Sequence, residues 1–269
     1  MRKNEVYWVI GESTNCGKTT VSCGLIRHLN LVGKGAFGFK PFSAARILER
    51  LHQFQPGVDL KSELVGNDGR RLCDASGLSD QYLHDVVNPY YMLFRNNVNE
   101  PVLSRVGSKC LKNSSYSRLS FYDVCLKNEN IKNALDGFAP LNKANYSSNP
   151  VDFEEQAEAA YQLLLAKKPC SHVIEGAGPL LPIWRKKEPQ QVNHILAIMK
   201  GRIFFCKNVN MYIRNSSAGR PSFKALFGGG KISLQDVKSL PIKKVAQGQV
   251  DAATDSLISK LLNSNYSSQ

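Results

Sequence analysis

The sequence predicts an α/β protein with a doubly wound, mostly parallel sheet and helices on both faces of that sheet. Short, largely apolar runs at 6–10, 36–39 and 172–174 are typical of strands that are buried on both sides. Between them, apolar residues recur at helical spacing, most clearly at 21–29 and 152–166. A loop of small residues follows the first apolar run, at the strand end where doubly wound sheets bind ligands.

Size and composition predict one soluble, cytoplasmic domain. The chain has 269 residues, 42% of them hydrophobic, and no apolar run long enough to cross a bilayer. Its first residues pass directly into the first strand, which leaves no room for a signal peptide. We expect the domain to span 1–262, with a polar insertion at about 105–150 and a polar tail at 263–269.

The formal net charge of +13 is concentrated in one part of the chain. Between residues 185 and 244, Glu188 and Asp236 are the only acidic residues. A basic surface can attract nucleic acid, an anionic substrate or an acidic partner. Because no nucleic-acid-binding module or alternation of aromatic and basic residues accompanies the charge, we favour a solvated basic face that attracts ATP, and expect no nucleic-acid partner.

The first strand leads into a loop that predicts phosphate binding. Loop amides and a helix N-terminus would face anionic oxygens, Lys18 would add a positive charge, and the Thr19 hydroxyl would serve a Mg²⁺ ion. Five residues separate Gly11 from Gly17, one more than in a strict P-loop. The alternative is a chance Gly-Lys-Thr in a polar turn, but the strand–loop–helix context favours a nucleotide site. The residues we expect at this site are Gly11, Glu12, Ser13, Thr14, Asn15, Cys16, Gly17, Lys18, Thr19 and Thr20.

The seven cysteines include no C-x-x-C pair and no His/Cys cluster. This pattern predicts reduced thiols and no structural zinc. Cys16 lies where a helix N-terminus could activate a thiol. The loop also requires a small residue at this position, and we favour that simpler interpretation.

Two charged residues follow the next predicted elements. Lys40 ends the second strand, since Pro41 stops it, and is either an edge charge or, as we favour, a site residue. Residues 44–54 have helical character. Asn67 and Asp68 open a further helix, where Asp68 is either its N-cap or a Mg²⁺ ligand, and the sequence leaves both open.

The middle of the chain gives weaker patterns. Residues 99–104 are typical of a loop that enters a helix, since proline suits a first helical turn. In the polar insertion, residues 121–135 have enough apolar periodicity for one helix. We expect the insertion to cover one edge of the site.

The third buried strand ends at Glu175, and small residues follow it. A glutamate at a strand end is often a solvated charge or a salt-bridge partner. Here the glycines allow a ligand to approach, and we expect this strand to lie beside the phosphate loop. Beyond it, the patterns predict a helix at 192–199, strands at 203–206 and 209–213, and a final helix at 252–262.

Five motifs, in order along the chain, resemble those of the ATP-dependent dethiobiotin synthetases. They cover roughly the first two thirds of the sequence. The motifs are the loop 11–19 with its five-residue gap, Gly38-Phe39-Lys40-Pro41, Asn67-Asp68, Val87-Asn88-Pro89-Tyr90 and Glu175-Gly176-Ala177-Gly178.

This resemblance implies a P-loop NTPase-like sheet, a homodimer, and closure of a cyclic urea on 7,8-diaminononanoate, with CO₂ and MgATP as the other substrates. One amine of this small diamine acid captures CO₂ or bicarbonate as a carbamate. The carbamate attacks the γ-phosphate to give a carbamic–phosphoric anhydride, and the second amine closes the ring and expels phosphate. Such chemistry requires positive charge around the carbamate and the γ-phosphate.

Site roles follow from the same resemblance, residue by residue. Lys18 would hold the β- and γ-phosphates, Lys40 would neutralise the carbamate, and Thr14 would lie near the reacting oxygens. Thr19, Asp68 and Glu175 would bind Mg²⁺. Asn215, after the strand that contains Tyr212, would contact the adenine.

The chain also departs from the family pattern. Glu12 and Ser13 stand where the family commonly has threonine and aspartate, and Pro179 has no N–H to offer a substrate. An alternative is therefore a related ATPase that acts on another substrate or as a partner-regulating switch. Switch proteins of this kind carry a lysine directly after the first glycine of the loop, where this chain has Glu12.

Overall fold

The computed structural model has a mixed α/β architecture with a central, mostly parallel sheet. It describes residues 5–46, 66–94, 101–112, 139–140, 150–167, 171–178, 190–199, 202–213, 238–241 and 250–263. The strands in these ranges are β1 (Glu5–Gly11), β2 (Ala36–Phe39), β3 (Ser43–Arg46), β4 (Tyr90–Phe94), β5 (Pro101–Val106), β6 (Lys109–Lys112), β7 (Ala139–Pro140), β8 (Ser171–Glu175), β9 (Gln190–Met199), β10 (Arg202–Ile213) and β11 (Lys238–Pro241). The α-helices are α1 (Lys18–Leu31), α2 (Asn67–Ala75), α3 (Pro150–Ala166) and α4 (Val250–Asn263).

Within the described ranges, the central sheet has six strands in the order β11-β10-β9-β1-β8-β2. The pairs β2–β8, β8–β1 and β1–β9 are parallel, while β9–β10 and β10–β11 are antiparallel. Parallel strands end at the same edge of a sheet, so β1, β2 and β8 bring their carboxyl ends together. The predicted position of the third buried strand beside the first is confirmed.

Alternate residues of β1 enter two separate hydrophobic cores. Trp8 and Ile10 pack in a cluster with Tyr161 of α3, whereas Val9 lies in a cluster with Leu25 of α1. The second cluster also contains Leu72 of α2 and Leu261 of α4. Each fully buried large apolar side chain stabilises such a core by about 1.5–3 kcal/mol. The predicted strands β1, β2 and β8 and helices α1, α3 and α4 are all present.

A second sheet replaces two predicted helical segments. It has five described strands in the order β3-β4-β5-β6-β7. The helix expected at 44–54 is wrong over its described part, since Ser43–Arg46 is strand β3 and pairs with β4. The helix entry expected at 99–104 is also wrong, because Pro101–Val106 is strand β5. Pro101 is tolerated at the first position of a strand, where its missing N–H costs least.

The helix predicted at 192–199 is wrong as well. The segment is strand β9, which pairs with β1 on one side and β10 on the other. A short apolar run buried on both faces has no periodicity that separates strand from helix. The strands predicted at 203–206 and 209–213 form one strand, β10, with a register shift between Lys207 and Met211.

Helix α2 begins where the sequence predicts, but its cap differs. Gly66 is at the N-cap position, and no side-chain hydrogen bond caps this end among the described residues. Asp68 lies inside the first turn, so the N-cap interpretation of Asp68 is wrong. The predicted helix at 121–135, Pro179 and Asn215 lie outside the described residues. Across the ranges given above, no helix is long and apolar enough to cross a membrane.

Candidate nucleotide and cation site

The loop between β1 and α1 lies open at the carboxyl edge of the central sheet. Residues 12–15 are exposed, and the loop starts where the Glu12 N–H donates to the Ile198 carbonyl at 3.1 Å. Thr14 lies beside the turn after β8, since a Cβ on Gly178 would be 3.4 Å from the Thr14 Cγ2. The loop therefore sits between the ends of β8 and β9, with its backbone accessible to a ligand.

Two glycines and Cys16 set the shape of this loop. A Cβ on Gly11 would lie 2.3 Å from the Cys16 Sγ, so the sulfur fills the space that only glycine leaves. Gly17 stands at the N-cap of α1 with φ +93°, a left-handed conformation that favours glycine. Asn15 also has a positive φ, +57°, which asparagine tolerates better than most residues. Cys16 thus packs inside the loop, as expected for a required small residue.

Lys18 folds back into the loop. Its Nζ donates to the Ser13 carbonyl at 2.5 Å and lies 3.6 Å from the Cys16 Sγ. The side chain is buried. Two residues further along α1, the Thr20 hydroxyl accepts a hydrogen bond from Arg71 Nη2 of α2 at 3.1 Å. The loop therefore carries a fixed positive charge close to the exposed backbone.

Four predicted site residues from four different elements form one cluster. The Thr19 hydroxyl donates to Glu175 Oε1 at 2.8 Å, and Lys40 Nζ donates to the same oxygen at 2.7 Å. Lys40 Nζ also donates to Asp68 Oδ2 at 2.5 Å. The register explains the meeting, since Val9 pairs with Glu175 and Phe39 pairs with Ile174.

The cluster is buried at one end and open at the other. Glu175 and Lys40 are 1% and 5% exposed, while the Asp68 side chain is 40% exposed. Burial alone would lower the pKa of Lys40, but the charges of Glu175 and Asp68 and their hydrogen bonds outweigh it and raise that pKa above its usual range. The two carboxylates therefore favour the charged form of Lys40, and removing Lys40 would leave the buried Glu175 carboxylate without its compensating charge.

One oxygen of Glu175 remains available in this cluster. Oε2 is buried and has no hydrogen-bond partner among the described residues. Carboxylate and hydroxyl oxygens are the hard donors that Mg²⁺ prefers, and Mg²⁺ usually takes one or two carboxylates and completes its shell with water and substrate phosphates. In the described part of the chain, no group of three or more His, Cys, Asp or Glu could hold a metal. Thr19, Asp68 and Glu175 therefore supply oxygen donors of the type that such a Mg²⁺ ion takes, with the Lys40 ammonium between the two carboxylates.

The ammonium between the two carboxylates is the feature that sequence reasoning missed. Lys40 was expected to face a substrate, and Asp68 and Glu175 to face a metal. In the structure, Lys40 bridges both acids. Lys40 follows β2, Asp68 lies in the first turn of α2 and Glu175 ends β8. Nothing in the spacing of these three residues along the sequence indicates that their side chains meet.

Asn88 and Arg105 hold the backbone of Lys40 in place. The Lys40 N–H donates to the Val87 carbonyl at 2.8 Å, and Asn88 Nδ2 donates to the Lys40 carbonyl at 2.8 Å. Arg105 Nη2 donates to the Asn88 backbone and side-chain oxygens at 2.7 and 2.9 Å. Both Asn88 and Arg105 are fully buried. The Asn-Pro dipeptide at 88–89 marks this position in the sequence, but Arg105 carries no comparable signal.

Comparisons with known proteins identify no family for this chain. No model of a known protein family matches the chain, and a search of curated proteins finds no match. The resemblance to dethiobiotin synthetases therefore stays a prediction from the sequence motifs.

Proposed function

We propose that this protein is an ATP- and Mg²⁺-dependent ligase of the dethiobiotin synthetase kind, which adds CO₂ to a small diamine acid and closes a cyclic urea. The observation that carries the proposal is the open loop at 12–15 beside the cluster of Thr19, Glu175, Lys40 and Asp68. Both parts lie at the carboxyl ends of neighbouring parallel strands, the usual ligand position in a doubly wound sheet.

The loop supports triphosphate binding in a P-loop NTPase-like fold. Residues 12–15 are exposed, the loop leads into the N-terminus of α1, and Lys18 holds its charge inside the loop. Helix N-termini and amide-lined turns favour phosphate groups. In this proposal Lys18 leaves the Ser13 carbonyl to bind the β- and γ-phosphate oxygens, and Thr14 lies near the reacting oxygens.

Thr19, Asp68 and Glu175 would hold the Mg²⁺ ion. Bound MgATP supplies the activated phosphoryl group that the ligase reaction needs. The chain's own part is to fix the charges around it: Glu175 and Asp68 orient the cation, and Lys40 provides positive charge next to the carbamate. Preorganised charge of this kind lowers the barrier where negative charge develops.

Carbamate formation needs no covalent help from the protein. One amine of the diamine attacks CO₂ and loses a proton to give a carbamate, whose oxygen attacks the γ-phosphorus and displaces ADP. The second amine then attacks the carbamate carbon, loses a proton and displaces phosphate to close the ring. The residues hold the reacting groups close together, which alone accelerates such steps strongly. A homodimer is part of the proposal because the resemblance implies it.

Phosphate release from ATP tests the proposal. We expect release that requires Mg²⁺, bicarbonate and 7,8-diaminononanoate together, and that Lys18→Ala abolishes. Lys34→Met is the matched control, since Lys34 is an ion-paired lysine bonded to Glu5 at the opposite end of β1. ATP binding with release that ignores the diamine would favour a related ATPase with another substrate, and failure to bind MgATP would overturn the proposal.

A further inference from the structure

The Lys40 ammonium lies where a cation shared by Asp68 and Glu175 would have to lie. Its Nζ is 2.5 Å from Asp68 Oδ2 and 2.7 Å from Glu175 Oε1. A Mg²⁺ ion takes oxygen ligands at about 2.1 Å. An ion bound to these same two oxygens would overlap the ammonium, and the two positive charges would repel each other strongly in this buried setting.

The buried carboxylate nevertheless requires a positive charge. Glu175 is 1% exposed, and its Oε1 accepts hydrogen bonds from both Lys40 and Thr19. An ionised carboxylate left alone in such a place is strongly destabilising. Either the lysine or a metal ion can supply the charge that keeps this carboxylate ionised, and the unpartnered Oε2 is an oxygen that the lysine does not use.

An ion can reach the cluster from solvent, and the Lys40 side chain within the cluster can move. The Asp68 side chain is 40% exposed, so an ion can reach the cluster from that side. Lysine carries its charge on a flexible four-carbon stem, whereas the Lys40 backbone is fixed by the hydrogen bond that its N–H donates to the Val87 carbonyl and by the bond that its carbonyl accepts from Asn88. Displacement of the ammonium therefore needs a side-chain rotation and no change in the strand.

We propose that Lys40 is a built-in counter-ion which a divalent cation displaces from Asp68 and Glu175. The cation and the lysine occupy the carboxylates in turn, so cation binding releases the Lys40 ammonium for an anionic substrate. This exchange rests on the proposed function only through the cation site. It explains how one lysine both stabilises the ligand-free protein and serves the reaction.

Binding of Mn²⁺ in the absence of nucleotide tests the exchange. The free ion is counted by electron paramagnetic resonance in wild type, Lys40→Met and the matched control Lys34→Met. We expect Lys40→Met to bind Mn²⁺ at least tenfold more tightly than wild type, Lys34→Met to match wild type, and Glu175→Gln to remove the gain in the Lys40→Met background. Equal or weaker binding by Lys40→Met would overturn the exchange.

Thermal unfolding gives a second readout. Lys40→Met should melt at a lower temperature than wild type without a divalent cation, and Mn²⁺ should restore most of the loss. A loss that Mn²⁺ leaves unchanged would count against the exchange.

Wild-type protein covers the case in which Lys40→Met does not fold. Amine acetylation, followed by peptide mass spectrometry, should modify Lys40 faster when Mn²⁺ is present, while Lys34 reacts at an unchanged rate. An unchanged rate at Lys40 would overturn the exchange. Failure of MgATP binding together with intact exchange would remove the proposed function alone, so the two failures are distinguishable.

Discussion

Lys40 Nζ lies 2.7 Å from Glu175 Oε1, although 135 residues separate the two along the chain. The contact exists because β8 lies between β1 and β2, and its register places Ile174 opposite Phe39, the residue before Lys40. Thr19 donates to the same oxygen at 2.8 Å. One buried carboxylate therefore links helix α1, the end of the second strand and, through Lys40, helix α2.

Replacement of Glu175 should weaken cation binding without changing the fold. Glu175→Gln keeps the shape of the side chain but removes the charge that Lys40 and Thr19 contact. We expect Mg²⁺-dependent nucleotide affinity to fall by about tenfold or more, because a metal ligand is lost. Isothermal titration with and without Mg²⁺ measures the change.

The matched control is Glu155→Gln on the exposed face of α3. It should leave the affinity unchanged. An unchanged affinity in Glu175→Gln as well would contradict the assignment of Glu175 to the cation site.

Replacement of Arg105 should destabilise the protein, although Arg105 lies outside the cluster of Thr19, Lys40, Asp68 and Glu175. Its guanidinium donates to carbonyls of Asn88 and Gly107 and is 1% exposed. Arg105→Met leaves these buried acceptors without their donor, so we expect a loss of about 2–4 kcal/mol in the free energy of unfolding. Urea denaturation measures the loss.

Arg202→Met on β10 serves as the control, since Arg202 is exposed. It should change the free energy of unfolding by less than about 0.5 kcal/mol. Similar losses of unfolding free energy in the two variants would contradict a stabilising role for the buried hydrogen bonds of Arg105.

Glu5, at the amino end of β1, should contribute to the free energy of unfolding at neutral pH, and this contribution should be lost in acid. The nearby His194 ring lowers the pKa of Glu5, burial opposes this, and hydrogen bonds from Tyr7 and Lys34 lower it further, to about 2 from an ordinary 4.5. A depressed carboxyl pKa stabilises the fold above pH 4.5, and this component is lost as the pH falls from 4.5 toward 2. Glu5→Gln should therefore cost about 1–2 kcal/mol at pH 7, allowing for partial exposure.

The same substitution should cost progressively less as the pH falls below 4.5. Denaturant unfolding of both proteins at pH 7 and pH 3 measures the difference. A cost that is equal at the two pH values would show that Glu5 is not held ionised by its neighbours.

Cysteine reactivity should report on the loop. Burial raises the pKa of Cys206 to about 11, and burial, with the charges of Asp74 and Asp80, raises that of Cys73 to about 11. At pH 8 only about 0.1% of such thiols are ionised, and the thiolate is the reactive form. Cys16 is half-buried in the loop between β1 and α1.

We expect iodoacetamide at pH 8 to modify Cys16 before Cys73 and Cys206, as measured by peptide mass spectrometry. Pyrophosphate or MgATP should slow the modification of Cys16, because a bound phosphate covers the loop. Modification of Cys16 at the same rate with and without these ligands would contradict phosphate binding at this loop.

The motif-bearing elements were predictable because each combines a local pattern with a chemical signal. The apolar run at 6–10, the glycines of the loop and the helical spacing at 21–29 all indicate the same strand–loop–helix unit. Thr19, Lys40 and Glu175 each follow a strand or loop of this kind, so their approach to one sheet edge could be expected. Their hydrogen bonds with one another could not.

The failed predictions share a physical cause. Residues 195–199 are all apolar and give no period that separates strand from helix, and pairing with β1 and β10 makes the segment a strand. Residues 43–46 and 101–106 become strands because they pair with β4, which lies between them in the second sheet. Long-range hydrogen bonding of this sort outweighs local propensity.

The position of β1 has a consequence for synthesis of the protein. Its partners, β8 and β9, begin at Ser171 and Gln190, so a nascent chain exposes both edges of an apolar strand until most of the polypeptide has left the ribosome. Unpaired edges of this kind recruit other chains. Chaperone capture during translation should thus be concentrated on the first strand, long before Glu175 is synthesised.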